Sequence, residues 1–360
     1  VIYLDYQATT PLAPEALAAM LPWLESQHAN PHAPHAPGRA AKAAVEVARG
    51  QVGALLPPGG TLAFTSGATE ALNWAIKGTH GPIVTLATEH AAVLDSAAAS
   101  GRAVTVLPVG EDGVVDLEAA RAAIVPGTGL VAAMLVNNEI GVIQPIADLA
   151  EIAHGAGALF LCDAVQGYGR VPIPATCDLV AISAHKIYGP KGVGALWARD
   201  GVSLAPLLHG GGQEGLGRSG TLSPALCAGF GAAAKAAATY AEADAAHVAR
   251  LFQRGRARLG QDWNLNGIAT RRYHGNLNVR RAGLDVARLM ADLRDIAFSA
   301  GSACASGSGR PSHVLRALGL SDADARSSIR IGFGRMTTEE ELMTALDRIS
   351  AAANAQRVAA

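Results

Sequence analysis

Lys186 stands in Ala181-Ile182-Ser183-Ala184-His185-Lys186-Ile187-Tyr188-Gly189-Pro190-Lys191-Gly192, where an apolar run opens into a glycine-punctuated loop. Asp178 to Ile182 has the composition of a short buried strand. The amine should therefore emerge at a strand's carboxyl end, where α/β sheets gather their active sites. We read it as a cofactor-bearing amine; a surface lysine on a turn is the plain alternative. Asp163 follows Leu159-Phe160-Leu161-Cys162, so its carboxylate is partly buried and needs a cationic or hydrogen-bonding partner. A structural cap would serve. A protonated pyridinium nitrogen would serve too, and would gain electron-withdrawing strength by staying protonated. His90, in Thr88-Glu89-His90, again lies just past a strand. Cys304 sits within Ala300 to Pro311, small residues that build no core and predict a mobile loop. A thiol in such a loop is an oxidation liability unless its thiolate is used. Arg330 either pairs with a surface carboxylate or presents its planar fork to a substrate carboxylate.

The elements that must position these groups alternate. Expected strands are Thr61 to Thr65, Ile83 to Leu86, Ala103 to Leu107, Gly129 to Val136, Ala158 to Cys162 and Gly192 to Ala198. Helical spacing appears over Pro14 to Leu24, Arg39 to Leu56, Ala71 to Lys77 and Ala91 to Ala99. Repeated β–α units with apolar strands imply a mostly parallel sheet covered on both faces. Ser66-Gly67-Ala68-Thr69-Glu70 opens one helix and offers either a phosphate cradle of N–H groups or an ordinary cap with Glu70 in the first turn. His28 to Gly38, rich in proline and histidine, reads as a loop. Its prolines keep the histidines from lining one helix face, so we expect no metal site. His209 to Thr221 reads as a long glycine-rich loop that is flexible or crosses to a second subunit. Pro224 to Leu259 is helical with a kink or boundary near Ala238 to His247. A smaller α/β unit follows, with Gly275 to Arg280 and Ser327 to Ile331 as strands and Asp285 to Leu293 as a helix.

The 360 residues suffice for two domains. We place a large domain over 13–250 and a smaller one over 1–12 with 251–360, the latter carrying the cysteine loop. With 29 basic and 30 acidic residues, the net charge of −1 argues against a dominant electrostatic role in nucleic-acid binding. Apolar stretches are too short for a membrane span and no charged-then-apolar leader opens the sequence, so a soluble cytoplasmic protein is expected. Cys162, Cys177, Cys227 and Cys304 form no CxxC pair, which suggests reduced thiols, the first three as small core residues.

Taken together, the chain resembles the cysteine desulfurases of the class-V aminotransferase-like, fold-type I pyridoxal-phosphate family, in the branch that serves iron–sulfur assembly and tRNA thiolation. The resemblance is carried by Tyr3-Leu4-Asp5-Tyr6, Ala8 to Pro11, Ser66 to Glu70, Thr88 to His90, Asn137 to Gly141, His185 to Gly192, Arg218 to Thr221, Gly301 to Cys304 and Ser327 to Arg330. It implies a pyridoxal 5'-phosphate-dependent transferase with a large, mostly parallel α/β domain and a smaller α/β domain. Lys186 would hold the cofactor and shuttle the substrate's α-proton. Asp163 would pair with the ring nitrogen, Gln166 would bond the ring hydroxyl, and His90 would stack on the ring and assist proton transfer. Ala68, Thr69, Ser183 and His185 would bind the phosphate, joined by Thr221 from the partner of a homodimer. Asn138 and Arg330 would place the carboxylate of L-cysteine. Cys304 would take the sulfur as a persulfide and pass it to an acceptor protein, an iron–sulfur scaffold or a sulfur carrier, while alanine is released.

Departures from the family pattern are Gly215-Leu216-Gly217 after Glu214, where the family usually has an arginine first, and Ala305 and Val165 in place of hydroxyl residues. No C-terminal extension for docking a scaffold follows Ala360, which leaves the acceptor open. The rival readings are a selenocysteine lyase or cysteine sulfinate desulfinase, which needs no enzyme thiol, and a catalytically silent binding partner with the same fold.

Overall fold

The computed structural model describes residues 1–301 and 311–358. Cys304 and the loop expectation around it lie outside those residues. The centre is a seven-stranded sheet in the order Gly60–Thr65, Gly194–Arg199, Leu179–Ser183, Leu159–Asp163, Leu130–Met134, Ile83–Leu86, Val104–Leu107. Only Gly194–Arg199 runs against its neighbours. Its central strands are buried along their whole length, as apolar runs without polar alternation require of a sheet covered on both faces.

The strand period of two then sorts one run of aliphatic residues into two cores. Val131, Ala133, Phe160, Cys162, Val180 and Ile182 pack on one face with Val45, Ile146 and Phe230 from helices. Leu130, Ala132, Leu161, Leu179 and Ala181 pack on the other with Leu72, Trp74 and Val93. A separate core lies over a four-stranded antiparallel sheet ordered Ser299–Ala300, Ser328–Gly332, Asn276–Arg280, Asn264–Leu265, faced by the helix Glu339–Val358. Ile2–Tyr3 pairs in parallel with Ile296–Ala297, so the first residues are built into this second region. No helix of the described residues is long and apolar enough to cross a membrane.

Two expectations are corrected. The histidine-rich stretch is a loop only to His35. A helix begins at Ala36, with His35 Nδ1 accepting the Gly38 N–H at 3.1 Å and a proline in the first turn, where the missing N–H costs nothing. Pro224–Leu259 is one continuous helix of 36 residues. Residues 232–254 contain neither glycine nor proline to bend it. Cys227 to Ala237 pack in the sheet's core, and Val248 to Leu259 pack in the second core.

Close backbone approach at Gly194 sets the edge of the main sheet beside the site. A Cβ there would lie 2.5 Å from Ile182 O and 2.7 Å from Gly67 Cα. Gly194→Ala is expected to destabilise the fold by about 1–3 kcal/mol through overpacking, read as a lowered urea midpoint. An unchanged midpoint would show that the Gly67 turn can retreat.

Candidate active site

A cavity of about 650 Å³ opens where the parallel strands end. Asp163 and Ser183 are the last residues of their strands, and Ser66, His90 and Asn138 follow theirs within a few residues. Of the residues singled out in the sequence, Ala68, Thr69, His90, Asn138, Asp163, Gln166, Ser183, His185, Lys186 and Arg330 all line it. Thr221 is exposed and does not. Cys304 lies outside the described residues.

Lys186 sits in a short 3-10 turn, Ala184–Lys186, directly after the strand. Its Nζ donates to the carbonyls of Gln7 (2.5 Å) and Ala8 (2.8 Å). The same Gln7 carbonyl accepts from Gln166 Nε2 at 3.0 Å, which draws the ring-hydroxyl candidate toward the lysine. Two residues on, Tyr188 has φ +68°, the only left-handed non-glycine among the described residues. It is held there by its N–H on Thr10 Oγ1 (2.7 Å) and by its hydroxyl accepting the Arg335 N–H (2.8 Å).

Burial dominates the electrostatics. Asp163 accepts one backbone bond, from Val165 N at 3.0 Å. Desolvation still pushes its carboxyl upward, against that bond and against the pull of neighbouring His90 and Lys186. His90 caps the helix Ala91–Ala98 by accepting the Ala92 N–H on Nδ1 at 3.0 Å, which leaves the proton of the neutral ring on Nε2. Burial holds that ring below the usual histidine range, Lys186 adding to it and Asp163 opposing. Burial, with Lys186 and Lys191, brings His185 down to about 4; its Nδ1 meets Thr9 Oγ1 at 3.2 Å.

At the cavity's rim the helix Ala68–Lys77 begins, with its first N–H groups among the lining residues. The N-cap, Gly67, makes no side-chain cap bond; Glu70 in the first turn accepts the Ser66 N–H at 2.7 Å, and Ala68, Thr69, Ser183 and His185 line the cavity around the same end. An amine, a buried carboxylate at the end of the adjacent strand and a helix start make a set of groups that fits pyridoxal phosphate. Arg330 is 1% exposed; it donates to Asp5 Oδ1 at 2.6 Å and to the Asn138 carbonyl at 3.2 Å, and its Nε has no partner.

The glycine-rich loop is anchored in the chain itself. Buried Glu214 accepts from Arg49 Nη1 (2.7 Å) and Nη2 (2.8 Å) and from Phe64 N (2.6 Å), and Arg218 Nε meets Glu70 Oε1 at 2.9 Å. Arg49 thus supplies a cation to Glu214 where no arginine follows it in sequence. Other residues went unread in the sequence. Glu89 is fully buried, with Oε1 accepting Met134 N at 2.7 Å. Ser312 Oγ donates to Glu139 Oε2, and His313 Nε2 meets the Glu89 carbonyl at 2.9 Å. Their partners are more than 170 residues distant, beyond any local pattern.

The family model for class-V aminotransferases matches residues 2–344. The cysteine desulfurase IscS of Rickettsia bellii is 44% identical over 376 residues, covering 99% of this chain and 92% of the relative. A solved NifS-like protein from Rickettsia africae superposes with a TM-score of 0.90 at 29% identity, covering 98% of this chain and 99% of that one. A structure described as SspA in complex with cysteine gives 0.81 at 34% identity, covering 92% and 98%.

Glu139 yields a pH dependence. Burial pushes its carboxyl from 4.5 up to about 7, against the Ser312 bond and Arg330. The folded state therefore binds a proton that the unfolded state has released, and stability falls as pH rises from about 4.5 to about 7, then levels. Glu139→Gln should recover roughly 3 kcal/mol at pH 8 relative to its effect at pH 4, measured by urea denaturation across that range. An identical slope in the variant would mean that Glu139 is ionised in the fold.

Proposed function

The chain belongs to the class-V aminotransferase family, and from that premise we infer that it is a pyridoxal-phosphate-dependent cysteine desulfurase, converting L-cysteine to L-alanine and delivering the sulfur to an acceptor. The observation that carries this reading is the convergence of Lys186, Asp163 and His90 on one cavity at the strand ends.

When bound, pyridoxal phosphate supplies an electron sink for the charge left when the amino acid's α-proton departs. Lys186 would hold the group through its amine and would carry the substrate's α-proton. Asp163 would keep the ring nitrogen protonated, its burial strengthening that pairing. Gln166 would bond the ring hydroxyl. His90, neutral and with its Nε2 proton fixed by the helix cap, would stack on the ring and assist proton transfer. Ala68, Thr69, Ser183 and His185 bind the phosphate, with Thr221 of a second copy in a homodimer. Asn138 and Arg330 orient the substrate carboxylate, which adds a second anion to the Arg330–Asp5 pair. Residues 13–250 form the cofactor-binding domain in this reading, and 1–12 with 251–360 the other.

Cys304 receives the substrate sulfur as a persulfide, and the protein that takes it onward is an iron–sulfur scaffold or a sulfur carrier. Cys162, Cys177 and Cys227 are free and buried, in keeping with a reducing cytoplasm.

Incubation with L-cysteine under non-reducing conditions should yield alanine and a mass gain of one sulfur on the peptide containing Cys304. Cys304→Ala should lower sulfur transfer by a factor on the order of 10² or more. Lys186→Ala should lose both the visible absorption of the bound cofactor and turnover. Alanine formed without the sulfur adduct would overturn the persulfide route, and undiminished turnover in Lys186→Ala would overturn the whole reading.

A further inference from the structure

Behind the turn that carries Lys186 lies a second cavity, of about 160 Å³, none of whose lining residues lines the first. Its charged and imidazole-bearing lining is Arg170, Asp244, Arg272, His274 and Arg335, with Tyr188 and Tyr273 beside them. Charge there is incompletely balanced. Arg335 is satisfied, with Nε 3.0 Å and Nη2 2.7 Å from Asp244 Oδ2. Arg170 and Arg272 meet no carboxylate.

Arg170 directs Nη1 to the Gln166 carbonyl (3.4 Å) and Oε1 (3.3 Å) and Nη2 to the Lys186 carbonyl (2.5 Å), and it lies 5.0 Å over the Tyr273 ring. Arg272 is 4% exposed. Its Nη1 meets the carbonyls of Asn266 (3.4 Å) and Ile268 (3.3 Å), its Nη2 those of Ile140 (2.5 Å) and Asn276 (3.3 Å), and its Nε has no partner. Burial, reinforced by Arg256, brings this guanidinium down to about 9, and burial with Arg272 lowers His274. Every aspartate and glutamate of the sequence lies among the described residues, so none outside them is left to supply a counter-charge. Buried charges in folded proteins are otherwise paired.

We propose that this cavity binds a small oxyanion, phosphate or a short carboxylate, between Arg272 and Arg170, and that occupancy is felt at Lys186 through the Arg170–Lys186 carbonyl bond. Arg272 offers its unpartnered Nε, its Nη groups being held by carbonyls, and Arg170 offers the Nη groups it otherwise shares with Gln166 and the Lys186 carbonyl, charge-assisted donors that suit an oxyanion. The volume equals that of about five waters, enough for phosphate or acetate and too little for a nucleotide. An anion drawn to Arg170 competes with the Lys186 carbonyl for the same guanidinium, so binding alters the lysine turn from its rear.

The test uses the cofactor-loaded enzyme, in which the phosphate cradle is already filled. It is titrated with inorganic phosphate and, separately, with acetate, at ionic strength held constant with chloride. The expected result is a saturable rise in Tm with at least one anion, accompanied by a shift in the cofactor's visible band; the anion that responds identifies the ligand chemistry. Arg170→Met should lose both responses. Ala245→Glu, which tethers a carboxylate on the exposed helix face lining the cavity, should raise Tm without added anion and abolish the titration. Equal Tm responses in wild type and both variants would overturn the site, as would no response in wild type. A Tm response with an unmoved visible band would overturn the coupling to Lys186.

Discussion

The site depends on a clasp between residues 5–10 and the turn at 184–188. Thr10 donates to the His185 carbonyl from both N (3.0 Å) and Oγ1 (2.9 Å), and Ala13 N meets the Tyr188 carbonyl at 2.9 Å. These bonds over-determine a backbone that includes a left-handed tyrosine, a conformation that costs about 1–3 kcal/mol and persists only where neighbours enforce it. The clasp also sets two carbonyls against the Lys186 amine. It is held from behind by Gln7 Nε2 on the Gly275 carbonyl at 2.9 Å and by the Gly332 N–H on the Leu4 carbonyl at 2.7 Å.

Around that clasp the fold concentrates acidic groups in places where water cannot reach them. Asp163 and Glu89 are both pushed upward by burial, and Asp163 raises Glu89 further. Two adjacent buried carboxyls do not both ionise cheaply. With Glu89 carrying the proton, Asp163 is the one free to hold a positive partner, so the deeper residue sets the state of the one facing the cavity. The backbone N–H of Met134, on the neighbouring strand, fixes one Glu89 oxygen and with it the loop that presents His90.

How much of this was legible in the sequence follows from what each feature depends on. The strands of the main sheet are apolar on both faces, so their residues announced them to within two positions, and the groups just beyond them, Asp163, Lys186 and His90, came with them. The helix start at Ala36 was hidden by its prolines, which mark loops more often than first turns. The kink or boundary expected near Ala238 to His247 falls where the helix leaves one core for another, a change of surroundings that leaves its backbone undisturbed. The grip on Lys186 was illegible for a deeper reason. It is made by backbone carbonyls, which every residue has, and Glu139 with Ser312 or Glu89 with His313 meet only once the chain has closed.

The reach of the clasp along the chain has a consequence in time. Thr10 and His185 are 175 residues apart and Asp5 and Arg330 are 325 apart, separations that place the closure of the site late in folding. A ribosome that has made the lysine turn still has Gly275 and the strand Ser328–Gly332 to add before residues 4–7 can dock. At about 5–20 residues per second, that interval is on the order of ten seconds. During it the sheet can be complete while the lysine has no settled seat. Stable retention of a ligand at Lys186 therefore reports the joining of the chain's two ends, and not merely the formation of the sheet on which the lysine stands.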